Sequence, residues 1–172
     1  MTPPPAHHIA QINIGTMRAP LDTAELAGFV ALLAPLNALA DAAPGFVWRL
    51  QADGADDATG LRPYDDPMVI VNMSVWTSLE ALRDYVYRTG PHLDAMRQRR
   101  DWFVRPERAH LALWWLPAGE LPSVAEGMAR LELLRVHGPG PDAFTFRETV
   151  PPPDAGSGGR RTSRSGGAAL TA

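Results

Sequence analysis

The chain contains no cysteine and no lysine. Without cysteine there is no disulfide, no thiolate metal site and no cysteine nucleophile. All 16 basic residues are therefore arginine, a bias that codon usage produces as readily as function. A basic surplus is also missing. The net charge of −3 argues against a general nucleic-acid binder. No apolar run reaches the roughly 18 residues of a membrane span. The opening MTPPPAHH is neither basic nor followed by a long apolar segment, so no signal peptide is expected. These absences lead to the expectation of a cytoplasmic protein that binds neither nucleic acid nor membrane.

What is present suits one core. At 172 residues and 45% apolar content, the chain is long enough for a single domain and too short for two. Residues 1–6 read as a leader and 7–150 as the domain. Residues 151–172 (PPPDAGSGGRRTSRSGGAALTA) have the composition of a disordered tail.

The stretch from Met68 to Phe103 organises the rest. Met68–Trp76 reads as a buried central strand, with Val69, Val71, Met73 and Val75 on one face. Thr77 and Glu80 form a capping box for the next helix, which buries Leu79, Leu82 and Val86. Gly90-Pro91 breaks that helix, and it resumes over His92–Trp102. Upstream, His8–Ile14 alternates as a strand. Asp22 and Glu25 suggest the start of a helix that Pro35 should kink or end early. Pro44-Gly45 leads into a strand over Phe46–Gln51. The acidic loop 52–67 has neither EF-hand spacing nor a closing glutamate, so it reads as a solvated connection. Downstream follow a strand over His110–Leu116, a helix starting at Pro122, Ser123 and Glu126 and ending near Gly138, and a short edge strand over Ala143–Arg147.

The order β-α-β-β-α-β, with an extra helix before the last strand, is the ferredoxin-like split pattern of an α+β fold: an antiparallel sheet with helices on one face. Ala10, Ile12, Ile14 and valines 69, 71 and 75 would meet the helices. The opposite face would collect Gln11, Asn13, Arg49, Gln51, Asn72 and Ser74, with tryptophans nearby. A face of that mixed character usually closes on a ligand or a second sheet. A homodimer through the sheet face would do both.

Pro44-Gly45-Phe46 at a strand start, followed by Val75-Trp76 and then Ser78, Ala81-Leu82 and Asp84-Tyr85, resembles the dimeric α/β-barrel superfamily. That group includes antibiotic-biosynthesis and haem-degrading monooxygenases. APLD, NALA, PGFVWRLQ, VNMSVW and the run from VYR to the arginine cluster and Trp-Phe resemble an uncharacterised bacterial family within it, over about His7 to Pro153. The resemblance implies the fold more specifically than any reaction. In the haem-degrading relatives a first-strand asparagine, a second-helix aromatic and an axial histidine form the site. Asn13 matches the first, Tyr85 stands where they have tryptophan, and Ala95 takes the histidine position. His92 lies three residues earlier, so the resemblance does not carry axial ligation onto this chain.

Candidate site residues each have a plainer alternative. His92 offers a neutral imidazole near pH 7, or merely caps a helix. Tyr85 and Asn72 are candidate donors to a developing oxyanion, with His92 as proton acceptor. Asn13, Arg49 and Trp76 would contact substrate, and Arg97 or Arg100 would hold its anionic group, although an arginine run is more often solvated. Asn13 and Asn72 need hydrogen-bond partners if buried. His110 would face the same cavity, and the other tryptophans are mostly core. His7 and His8 have no further ligand at metal spacing, so no metal site is expected. Two kinds of function follow. One is a small-molecule enzyme of oxygenase, isomerase or cyclase type that works without metal or cofactor. The other is a protein that binds haem or another planar ligand without chemistry. A structural homodimer is third.

Overall fold

The computed structural model describes residues 6–153. The elements are β1 (His7–Thr16), α1 (Ala27–Asp41), β2 (Phe46–Arg49), β3 (Val69–Trp76), α2 (Leu79–Arg88), α3 (Gly90–Trp102), β4 (Leu111–Pro117) and α4 (Val124–His137). The four strands form one antiparallel sheet in the order β2-β3-β1-β4, the ferredoxin-like arrangement. The sequence expectations for residues 1–5 and 154–172 lie outside the described residues. Among those described, no helix is long and apolar enough to cross a membrane.

Strand register places the side chains. Ile12 pairs with Met73 and Ala10 with Val75, while Asn13 pairs with Asn72 and Gln11 with Ser74. Period-two geometry therefore gives one apolar face and one mixed face. The helices do not lie where the pattern suggests. The apolar face (Ala10, Ile12, Val71, Met73, Val75, Trp114) is buried under α4 through Leu131 and Leu134. The mixed face is roofed by α1, α2 and α3. Helices thus flank both faces, and the chain itself closes the face that a partner sheet was expected to cover. The physical reason is α4, which supplies the apolar cover that α1 and α2 would otherwise have had to provide. Gly127 lets α4 lie close, since a Cβ there would sit 2.9 Å from Met73 Sδ.

Several local expectations shift. Asp22 does not cap α1. Thr23 Oγ1 donates to the Pro20 carbonyl, and successive tight turns carry the chain to Ala27 before a helix forms, with no side-chain cap at Leu26. Pro35 sits inside α1 without ending it. Ala31, the residue one turn earlier, is exposed, so the carbonyl left without a helical donor can meet water. In α2 the cap is Ser78, not Thr77, because Ser78 Oγ accepts from Ala81 N–H. Thr89 adopts an extended conformation between α2 and α3, and Pro91 sits in the first turn of α3. Ser123 caps α4 as its sequence suggests. The edge strand over Ala143–Arg147 reduces to one bridge to the sheet, Phe144 exchanging two backbone bonds with Leu113, and a local bridge between Gly140 and Ala143.

Candidate functional site

A cavity of about 580 Å³ lies between the mixed sheet face and α1–α3. Its roof is α1, where Phe29, Leu32, Leu33 and Leu36 point inward and yet remain only half-buried. Phe29 and Leu32 pack in part against Trp102 and Phe103, and the rest of this roof faces space. α1 fully buries only Ala40. A large, mostly apolar hollow with a few polar groups is the usual form of a small-molecule site.

The floor carries a polar cluster. Gln11 Nε2 donates to Ser74 Oγ at 3.1 Å, and Trp76 Nε1 donates to the same oxygen at 2.9 Å. Two accepted bonds occupy the hydroxyl's lone pairs, and its proton has no acceptor among the described residues. Ser74 and Gln11 are each 7% exposed, the only buried polar residues among those described. Neither was singled out from the sequence beyond its place on the mixed face. Polar residues alternating with valines on β3 were the signal.

One wall is aromatic. Trp76 stacks on Tyr85 with centroids 5.0 Å apart, and the His92 ring lies 4.9 Å from Tyr85. Tyr85 O–H donates to the Leu36 carbonyl at 3.0 Å, so its only proton ties α2 to α1. Burial, and then the Asp41 carboxylate, push its pKa up to about 12, against the opposing pull of Arg49. Tyr85 is therefore a neutral wall and strap rather than an uncommitted donor. His92 Nδ1 lies 3.0 Å from the Val86 carbonyl, which fixes Nδ1 as the protonated nitrogen of a neutral ring and leaves Nε2 as its acceptor. Burial lowers the His92 pKa, opposed by the Val86 bond. The break at Thr89 turns the chain so that His92 and Tyr85 meet across two different helices.

Asn13 and Asn72 face the cavity side by side, Asn72 near its open side. Arg49 lines it too, but its guanidinium grips both oxygens of Asp41 (2.8 and 3.1 Å) and the Asp56 carbonyl. It fastens the end of α1 to β2 and the 52–67 loop rather than offering free donors. Arg97 and Arg100 lie on the exposed side of α3, outside the cavity, with Arg97 paired to Asp94. Helical spacing turns Arg99 inward instead, beside His110, where both line the cavity. Burial lowers the pKa of each, and for His110 the charges of Arg99 and Arg135 add to the effect. Among the described residues, no cluster of three or more histidines and carboxylates has the form of a metal site.

Among curated proteins, none is significantly similar to this chain. Solved structures that it resembles include SnoaB, a cofactor-independent oxygenase from Streptomyces nogalater. That protein is 23% identical, with 69% of this chain matched to 100% of that one at a TM-score of 0.46. Rv0793 from Mycobacterium tuberculosis is 19% identical over 67% of this chain and 99% of its own, with a TM-score of 0.45. A conserved protein from Methanosarcina mazei Go1 is 8% identical over 65% and 93%, with a TM-score of 0.47. A family model described as a domain of unknown function, DUF3291, matches residues 8–159. By that match, which spans all but the first residue of the described sheet and helices, the chain belongs to the DUF3291 family.

Proposed function

We propose that this protein is a small-molecule enzyme that takes a flat, mostly apolar substrate into the cavity and removes a proton from it with His92. One observation carries the reading: a half-buried imidazole, its Nδ1 proton on the Val86 carbonyl and its pKa lowered by burial, stands in the wall of an aromatic-lined cavity. A base must present a lone pair within reach of the substrate and must not already be protonated at working pH. Nε2 is the nitrogen left for that task. Negative charge developing on a substrate oxygen would be met by the uncommitted Ser74 hydroxyl or the Asn72 amide. Trp76 and Tyr85 would hold the ring plane. Oxygenase, isomerase and cyclase chemistry can all begin with this proton transfer.

The test needs no knowledge of the product. Aromatic ketones with an acidic α-C–H, incubated with the protein in D2O, should exchange that proton faster than in buffer. His92→Gln should slow the catalysed exchange by roughly 10²-fold or more. The rate should be level above about pH 6.5 and fall on the acidic side as His92 protonates. Equal exchange by the protein and its His92→Gln variant would sink the proposal.

A second reading, binding of haem or another planar ligand without chemistry, draws on the same tautomer, because a donor bond at Nδ1 is how ligating imidazoles are oriented. His92 Nε2 would hold the iron, whose chemistry when bound is that of an axial-ligated haem. A Soret band that survives gel filtration and is lost in His92→Gln would favour it. The homodimer is a separate proposal. With both sheet faces already covered, it would use another surface, and sedimentation equilibrium decides it.

A further inference from the structure

Behind the Arg99–His110 wall lies a second pocket of about 300 Å³, bordered by β1, the segment after α3, and α4. Ile14, Gly15, Arg99 and His110 line both spaces, so the pocket adjoins the far end of the main cavity. Its chemistry differs sharply from the cavity's. Arg99, Arg105, Arg108 and Arg135 all border it, with Glu107 as the only acidic residue on the lining. Glu132 nearby is shared, one oxygen 3.4 Å from Arg108 and the other 3.4 Å from Arg135. Four guanidinium groups thus stand against two carboxylates.

Arg99 is the telling residue. It is half-buried, yet it has no carboxylate partner among the described residues. Its donors reach only the His110 ring nitrogen and the Ile14 carbonyl, both at a long 3.3 Å. Its guanidinium also lies 5.8 Å from the centre of the Phe103 ring. Burying a cation without an anion costs free energy, and a guanidinium fork with donors to spare is suited to a planar or tetrahedral oxyanion. Arg105, exposed at the rim, likewise has no ion pair among the described residues.

We propose that this pocket seats the oxyanion, a carboxylate or a phosphate, of the ligand whose apolar body fills the main cavity. The inference rests on the cavity reading above and adds the substrate class: an aromatic or otherwise flat acid. Arg99 grips the oxyanion at the junction, Arg105 closes on it from the rim, and His110 accepts from Arg99 to hold the fork in place. Arg97 and Arg100, on the outer side of the same helix, take no part.

Isothermal titration of the full chain with three probes of nearly equal shape tests this: 2-naphthoate, 2-naphthyl phosphate and the neutral 2-naphthamide. At least one anion should bind about tenfold or more tighter than the amide, the scale of one or two charge-assisted bonds. Whichever acid binds tighter names the oxyanion. Arg99→Gln and Arg105→Gln should each remove much of that advantage, the exposed Arg105→Gln while leaving the amide's affinity unchanged, and added salt should weaken the acids alone. Arg105 is exposed, so its variant carries the test even if Arg99→Gln folds poorly. If the amide binds as tightly as both acids, or if the folded arginine variants bind the acids unchanged, the anion seat is overturned and the cavity reading stands. If none of the three binds, both fall.

Discussion

At the scale of single residues, Ser74 matters more than its size suggests. One hydroxyl oxygen accepts from Gln11 and from the Trp76 indole in a site almost closed to solvent. Ser74→Ala would leave two buried donors facing the cavity, and an unmade buried hydrogen bond costs about 1–3 kcal/mol. Water in the cavity should recover part of that, so we expect a loss of about 1–2 kcal/mol in urea unfolding. A red shift of Trp76 emission should accompany it. A loss below about 0.5 kcal/mol, the range of ordinary surface changes, would mean that water replaces the hydroxyl fully. Tyr85 and Arg49 show the reverse case. Both line the cavity as their strand and helix positions suggest, but their hydrogen-bonding groups are spent on Leu36, Asp41 and Asp56, groups that belong to other elements and loops.

At the scale of elements, the junction between β2 and α2 leaves the least room of any described glycine position. Gly45 has φ +81°, and a Cβ there would lie 2.6 Å from Ala81 Cβ and 2.7 Å from Thr77 Oγ1. Its carbonyl also accepts from Thr77 N–H at 2.8 Å. Gly45→Ala therefore combines left-handed strain of about 1–2 kcal/mol with a clash that only backbone movement relieves. We expect a destabilisation above about 2 kcal/mol by chemical denaturation, together with weaker ligand binding, because α2 carries Tyr85 and leads into His92. An alanine variant as stable as the parent would show that this turn can relax freely. The same scale explains α1, whose apolar residues at helical spacing form the roof of a cavity.

At the scale of the whole molecule, the two histidines of the cavity couple its stability to pH. His92 and His110 both have folded-state pKa values below the ordinary 6.5. The unfolded chain therefore binds more protons than the folded one once the pH drops below about 6.5. Their contribution is complete above that pH and is lost as the pH falls from there toward the depressed values. The melting temperature should decline between pH 7.5 and 5.0. The decline should be shallower in a His92→Asn/His110→Asn variant, in which asparagine keeps a donor near Nδ1. An identical slope in the variant would assign the acid loss to carboxylates instead.

Much of this protein is legible in its sequence because it is governed by local geometry. Strand alternation, the serine before α4 and the Gly90-Pro91 interruption depend on residues a few positions apart, and alternation places the mixed face without reference to the fold. The pairing of polar residues on β1 and β3 follows from the same period. Which helices cover which face was settled only in three dimensions, where α4 packs Leu131 and Leu134 on the apolar side and α1 roofs the mixed one. Which arginine of the cluster turns inward depends on the rotation of α3, set by Trp102 and Phe103 packing against Phe29 and Met17. The tautomer of His92 depends on a carbonyl from the preceding helix and its lowered pKa on burial, neither of which a linear spacing contains.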